Sequence, residues 1–373
     1  MNTDRLSRAG PERILVRGVN WLGDAVMTTP ALLRLREAFP HAHIALLTQD
    51  KLADLWQDHP AVNEVLTFGA KEFPWSVGQH LKAHRFELGI ILPNSPRSAI
   101  ELWLAEIPRR VGYSRPWRNA FLTEAVTDRP GHLTMRKRTP QEIQGLLASD
   151  ASSSQPPVLS LNTHHIHQYL HLVGAVGAST ALCAPLIAVR EEEVINFQYR
   201  MGTKAGEAVL GMVPGAEYGP AKRWPAERFV EVVRRMNQTR PCRWVIFGGG
   251  GDAEIAAQIA SQLTASGVHC ANLAGATSLR ELCAGLKTCC AVLTNDTGPM
   301  HVAAAVGTPV VALFGSTSPE LTAPGLPGDT RHRLLQGRVV CSPCFLRECP
   351  VDFRCMTSIT VETVINALRE LVF

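Results

Sequence analysis

Two successive series of short apolar runs, each run followed by an amphipathic stretch, restrict this chain to a parallel α/β fold. The first series is ILVRGVN at 14–20, IALLTQ at 44–49, EVLTF at 64–68 and LGIILPN at 88–94. The second is VLGMVPG at 209–215, RWVIFGG at 243–249, AVLTND at 291–296 and PVVALFG at 309–315. Runs this short and rich in β-branched residues suit strands buried on both faces beneath helices. Helical stretches such as 225–237, 253–265 and 360–371 lie between them. A chain of 373 residues exceeds one ordinary core. The two series therefore predict two doubly wound, Rossmann-like α/β domains, 1–187 and 188–373, with a cleft between them. APLIAVREEEV at 184–194 reads as the connection, and ASSSQPP at 151–157 as a polar surface loop. In open parallel sheets ligands gather at the carboxyl ends of the strands. The chemistry is accordingly sought in the loops after residues 20, 93, 215, 249, 296 and 315.

Several function classes are excluded early. There is no run of about 18 uninterrupted apolar residues that would cross a bilayer. The N-terminal MNTDRLSRAGPER lacks the apolar segment of a secretory signal, so the expected location is the cytoplasm. The net charge of +4 is too mild to imply a nucleic-acid partner. Ten cysteines in a reducing compartment are expected to be mostly free core thiols. Charge is nonetheless concentrated between Arg109 and Arg138, where eight Lys or Arg face only Glu124 and Asp128 and are interleaved with Tyr113, Trp117 and Phe121. That stretch is either a solvated face or a landing surface for an anionic partner.

Gly18 and Gly23 have the spacing of a phosphate loop, but Asp24 stands where such a loop needs lysine, which argues against a Walker-type NTPase. No G-x-G-x-x-G marks this turn as a dinucleotide site. Asp24 opens a helix, so it is either an N-cap or a general base at a strand's carboxyl edge. The most specific stretch is TNDTGPMHVAAAVGTPVVALFGSTSP at 294–319. Here a strand ends at Asn295-Asp296 and a helix begins at Thr297-Gly298, offering free N–H groups and a positive dipole end to a diphosphate. Pro299 fits the first helical turn, and His301 lies about one turn in. The alternative is that Asp296 or Thr297 merely caps this helix and His301 is packed. In MVPGAEYGPAKRWPAERF at 212–229, Lys222 is placed to neutralise a departing phosphate or is an ordinary surface lysine. The glycines of FGGGGDAE at 247–254 allow close backbone approach to a ligand or make a flexible turn. Cys341, Cys344, Cys349 and Cys355 form C-x2-C-x4-C-x5-C, compatible in length with a metal site but lacking the paired spacing of zinc ribbons. His164, His165 and His167 precede a helix face made by Ile166, Leu170 and Val173, so they are expected to be exposed or capping rather than ligands.

VRGVNWLGDAVMTTPAL, ILPNSPRSAIELWLAEIPRRVGYSRPWRNAFLT, VPGAEYGPAKRWP, LTNDTGPMHVAAAVGTPVVALFGSTSP and CSPCFLRECPVDFRCM together resemble the lipopolysaccharide heptosyltransferases of glycosyltransferase family 9, over nearly the whole chain. Within that family the likeness is strongest to members that add the second heptose of the inner core. The resemblance implies the GT-B architecture, two Rossmann-like domains facing across a cleft, with acceptor bound mainly by the first and donor by the second. It implies the donor ADP-L-glycero-β-D-manno-heptose, a lipid A-core acceptor reached by peripheral contact at the inner face of the inner membrane, and no required cofactor or metal. It makes Asp24 the catalytic base and sets Lys222 against the donor phosphates. Gly249, Glu254, Asp296, Thr297, Gly298 and His301 would bind the donor, and Arg97, Arg115 and Arg118 the acceptor. The reaction would be a direct displacement with inversion. A family 9 transferase for another heptose, or a non-transferring GT-B nucleotide-sugar epimerase or binding protein, stays open at this point.

Overall fold

The computed structural model describes residues 10–148, 159–204 and 206–372, so the expected loop at 151–157 lies outside the described residues. All eight anticipated runs are strands, and four more complete the sheets. The first sheet holds β1 (Arg13–Arg17), β2 (His43–Gln49), β3 (Glu64–Phe68), β4 (Leu88–Ile91), β5 (Arg109–Tyr113) and β6 (Glu124–Val126) in the order β3-β2-β1-β4-β5-β6. The second holds β7 (Val209–Val213), β8 (Arg243–Ile246), β9 (Cys270–Asn272), β10 (Ala291–Asn295), β11 (Val310–Phe314) and β12 (Arg333–Gln336) in the order β12-β11-β10-β7-β8-β9. Every pairing is parallel; Leu15, for example, pairs with Ala45 on one side and Gly89 on the other. Both sheets reverse their strand order beside the first strand of the unit, which places a topological switch point at β1/β4 and at β7/β10.

The chain divides into two compact units. Of the described residues, one unit comprises 10–132 and 165–188, and the other 133–148, 159–164, 189–204 and 206–372. Segment 133–148, with its helix Pro140–Ala148, is therefore part of the second unit, where Ile143 packs on Cys341 and Cys344.

The central strands β7, β10 and β11 are buried at every residue. Each Val or Leu there contributes on the order of 1.5–3 kcal/mol by leaving water. The helices Ala226–Thr239, Ala253–Ala265 and Val361–Val372 coincide within two residues with the expected helical stretches. They close the second core around Trp224, Trp244, Phe229 and Met236. Its two indoles are buried but satisfied: Trp224 Nε1 donates to Ile359 O at 3.0 Å and Trp244 Nε1 to Asn237 Oδ1 at 3.2 Å.

In the first unit the helix Leu22–Ala38 carries Pro30 in its interior. Pro30 has no N–H for the carbonyl of Val26. The hydroxyl of Thr29 donates to that carbonyl at 2.8 Å, and Thr29 Oγ1 also accepts from the N–H of Leu186 at 3.0 Å. The Thr-Thr-Pro sequence thus repairs its own helix and ties it to the segment leading out of the unit. Met27 of the same helix packs on Ile166, Leu170 and Tyr169 of the helix Ile166–Gly174, whose Ile166, Leu170 and Val173 form the buried face read from the sequence. Among the described residues no helix is long and apolar enough to cross a membrane.

Candidate active site

On the first unit, β1 ends at Arg17 and the chain turns through Gly18 and Asn20 into the helix that carries Asp24. The N-cap of that helix is Trp21, without a side-chain cap bond, so Asp24 is the third helical residue and not the N-cap. Its half-exposed carboxylate lies in the first turn. The buried Tyr169 hydroxyl is held well above its usual pKa, first by burial and then by the negative charge of Asp24. The turn before the helix is clamped from below. Gly18 N–H donates to Leu47 O at 2.8 Å. The guanidinium of Arg17 donates to Gly18 O at 2.5 Å and to Asn20 Oδ1 at 3.1 Å.

Arg17 is itself fully buried. Its Nε meets Glu101 at 2.8 Å, the other oxygen of Glu101 takes Arg97 at 2.7 Å, and the Arg17 guanidinium lies 4.3 Å from the centre of the Phe68 ring. Burial lowers the pKa of Arg17, with Glu101 opposing. This network went unread in the sequence, where Arg17 is a single cation within an apolar run and Glu101 a helical acid 84 residues away.

The three arginines expected at the acceptor have distinct surroundings. Arg97 is bonded to Glu101 and to Glu72 O. Arg115 makes a two-pronged pair with Asp128 at 2.8 and 3.1 Å. Arg118 is completely buried, donates to Pro93 O at 2.7 Å, and keeps Nε and one terminal nitrogen without partners among the described residues. Burial lowers its pKa to about 10. Beside it Trp117 is 89% exposed with φ +64°, a left-handed conformation costly for a bulky residue, whereas Tyr113 is buried with its hydroxyl on Gln168 O.

On the second unit the carboxyl edge of β7 and β10 gathers the donor candidates. Asn295, at the end of β10, donates to Pro214 O at 2.7 Å and accepts from the N–H of Trp224 at 3.1 Å, so it ties the β7 loop and the Lys222 loop to one strand end. Asp296 is buried; its Oδ2 accepts from Lys222 Nζ at 2.7 Å and from the Thr317 hydroxyl at 2.6 Å. Lys222 also lies 5.0 Å from the centre of the Tyr218 ring. Lys222 is therefore an aimed, mostly buried cation and not a loose surface lysine.

Thr297 is the N-cap of the helix Gly298–Ala305, in extended conformation and without a side-chain cap bond. Asp296 is committed to Lys222 and Thr317, so neither residue caps by its side chain and the helix start keeps donors to offer. His301 is buried in the first turn of this helix. In the next loop, Gly249 N–H donates to Asp252 at 3.1 Å, and Glu254 is exposed in the first turn of Ala253–Ala265.

Asp252 and Arg223 are further residues that the sequence reading passed over. They lie 3.7 Å apart, and the buried Arg223 Nε has no partner among the described residues. A Cβ on Gly215 would sit 2.0 Å from the Asp252 carboxyl carbon, so glycine is required where β7 meets this carboxylate. The glycine ending VLGMVPG was the available signal.

The ten cysteines are free. Cys341, Cys344 and Cys355 are buried, and burial pushes the Cys355 thiol up to about 12. No group of three or more His, Cys, Asp or Glu among the described residues is arranged to hold a metal ion. His164 is buried with Nε2 on Ala323 O at 3.0 Å, a packed histidine and not the exposed or capping one expected.

A family model described as "Glycosyltransferase family 9 (heptosyltransferase)" matches residues 74–353. The chain is 30% identical over 322 residues to lipopolysaccharide heptosyltransferase 2 of Escherichia coli strain K12, covering 84% of this chain and 85% of that protein. It is 29% identical over 334 residues to lipooligosaccharide heptosyltransferase 2 of Haemophilus influenzae, covering 88% and 90%. The solved structure of E. coli ADP-heptose LPS heptosyltransferase II superposes with a TM-score of 0.75 at 27% identity, covering 96% of this chain and 98% of that one.

Proposed function

The chain belongs to glycosyltransferase family 9, and from that membership we propose that it transfers L-glycero-D-manno-heptose from ADP-heptose to the heptose of a lipopolysaccharide inner core, with inversion. The first unit serves mainly the acceptor and the second the nucleotide sugar. Asp24 takes the proton of the acceptor hydroxyl, whose oxygen forms the new bond to the anomeric carbon as the bond from that carbon to the diphosphate oxygen breaks. Negative charge builds on the departing ADP. Preorganised donors aimed at such developing charge supply much of a catalytic rate, and here they are Lys222 and the N–H groups beginning at Thr297-Gly298. Asp296 and Thr317 act by aiming Lys222. Gly249, Glu254 and His301 belong to the same donor edge. Arg97, Arg115 and Arg118 belong to the acceptor unit. The acceptor is lipid-linked, met from the cytoplasm by peripheral contact with the inner face of the inner membrane.

The observation that carries this reading is the Lys222–Asp296 pair of 2.7 Å, beside a helix start that no side chain caps. The test is a purified donor and acceptor assay with the product mass measured, together with thermal unfolding in ADP and in UDP. A product heavier by one heptose and a thermal shift with ADP are expected. A shift with UDP and none with saturating ADP refutes the nucleotide.

A further inference from the structure

The basic stretch of residues 109–138 does not stay in one unit. Up to His132 it belongs to the first unit, where Arg109 is paired with Glu124, Arg115 with Asp128, and Arg118 is buried. From Leu133 it belongs to the second unit, and there Arg136 and Arg138 line a cavity of about 320 Å³ together with Arg338, Ser318 and Gln336. Among the described residues Glu320 is the single carboxylate in that lining. It is mostly buried, lies 3.5 Å from Arg338, and accepts from the Ser318 hydroxyl.

The three guanidinium groups are held differently. Arg138 is set by its backbone N–H on Cys344 O at 3.0 Å and its guanidinium on Val340 O at 3.2 Å, and among the described residues it makes no ion pair. Arg136 is 70% exposed, and its partner Glu142 lies outside the cavity lining. A pair that exposed is weak and readily exchanged. Arg338 pairs with Glu320 at 3.5 Å, and Glu320 also accepts from Ser318. Three arginines against one acid in a concave site favour an oxyanion, and arginine grips carboxylate or phosphate oxygens in two-pronged fashion.

The position of the cavity relates it to transfer. Gln336 ends β12 and Ser318 lies in the loop after β11, on the carboxyl edge whose neighbouring strand β10 presents Asp296, itself bonded to Thr317. Two strand spacings of about 4.8 Å separate β12 from β10, so the end of β12, where Gln336 lines the cavity, stands roughly 10 Å along the edge from the end of β10. A groove of about 590 Å³ shares Glu320, Gln336 and Arg338 with this cavity, so the anionic group can belong to a larger molecule. The cysteine-rich tail shapes the site: Val340 and Cys344 supply the carbonyls that hold Arg138, Pro343 and Phe345 line the cavity, and Ile143 packs on Cys341 and Cys344.

We propose that Arg136, Arg138 and Arg338 form an oxyanion subsite for a phosphate or carboxylate of the acceptor glycan; this rests on the heptosyl-transfer reading above. The donor diphosphate carries the same chemistry, and the test separates the two sources. Binding to the full chain is measured calorimetrically with an acidic core oligosaccharide and with its dephosphorylated, carboxyl-reduced counterpart. ADP binding is followed by thermal shift. Arg138→Gln with Arg338→Gln should weaken the acidic glycan by about 10- to 100-fold, the scale of losing charge-assisted hydrogen bonds. The ADP shift and the affinity for the neutral glycan should stay at wild-type values. Arg136→Gln, on an exposed arm that does not hold the fold, should weaken the acidic glycan alone by a smaller factor. Unchanged acidic-glycan affinity in the double variant overturns the proposal, as does a loss confined to ADP. Because glycan binding needs no turnover, a wild type that binds the acidic glycan but transfers no heptose refutes the reaction and leaves the subsite standing.

Discussion

Replacing Lys222 tests the donor edge most directly, because its partner makes the loss larger than one missing cation. In the wild type, Lys222 Nζ donates to the buried Asp296 carboxylate at 2.7 Å, and in the proposed reaction it is a cation offered to the donor diphosphate. Lys222→Ala removes a charge-assisted hydrogen bond of about 1.5–3 kcal/mol. It also leaves Asp296 facing the phosphate with no cation between them. A carboxylate and a phosphate oxygen roughly 5 Å apart repel by about 3 kcal/mol at an effective dielectric of about 20. In the proposed reaction Lys222 divides itself between the two anions, so the low end of the sum applies, about 4.5 kcal/mol, or roughly 10³-fold in kcat/KM. Adding Asp296→Asn removes the repulsion and keeps an oxygen for the Thr317 hydroxyl. Lys222→Ala with Asp296→Asn should therefore recover most of the loss, ending within roughly 10- to 100-fold of wild type. Steady-state kinetics with varied ADP-heptose measures both variants. A double variant as slow as Lys222→Ala, or near-normal turnover by Lys222→Ala, refutes this account of the pair.

Three further outcomes are expected. Asp24→Asn should lower kcat by about 10²- to 10⁴-fold, the range of general-base catalysis, while the thermal shift with ADP is retained; wild-type turnover would end its assignment as base. Glu101→Leu strands the buried Arg17 and should cost about 3–5 kcal/mol, Arg17→Met less because Arg97 still pairs with Glu101, and the two together close to nothing; thermal unfolding that instead shows the two losses adding contradicts a coupled network. His59 is buried, its Nε2 has no partner among the described residues, and burial depresses its pKa from 6.5 to about 4. In that window the unfolded chain binds the extra proton, so stability is present above pH 6.5 and falls by up to about 1.4 kcal/mol per unit as pH drops toward 4. His59→Gln should flatten that slope in denaturant titrations, and an unaltered slope assigns acid sensitivity to other groups.

What was legible from residue order alone was whatever depends on local pattern. β7, β10 and β11 are buried on both faces, so their short, mostly apolar runs announced them, and the helices Ala226–Thr239 and Val361–Val372 followed from helical spacing. Thr297-Gly298-Pro299 marked a helix start after a strand for the same reason. The strands β5, β6, β9 and β12 escaped because short strands toward the sheet margins carry Arg, Glu, Asn and Gln, which contribute little apolar pattern; their pairing partners make them strands. Partnership between charges was equally out of reach. Lys222 and Asp296 are 74 residues apart, and Arg17 and Glu101 are 84. The order of residues shows that such charges exist, but a 2.7 Å contact depends on which strand ends the sheet order makes neighbours. The same holds for Arg138 and Arg338. One stands in a loop before a helix and the other beyond β12, and only the grouping of 133–148 with the second unit puts both on one cavity. Local spacing supplied the elements, and the sheet topology decided which side chains share a site.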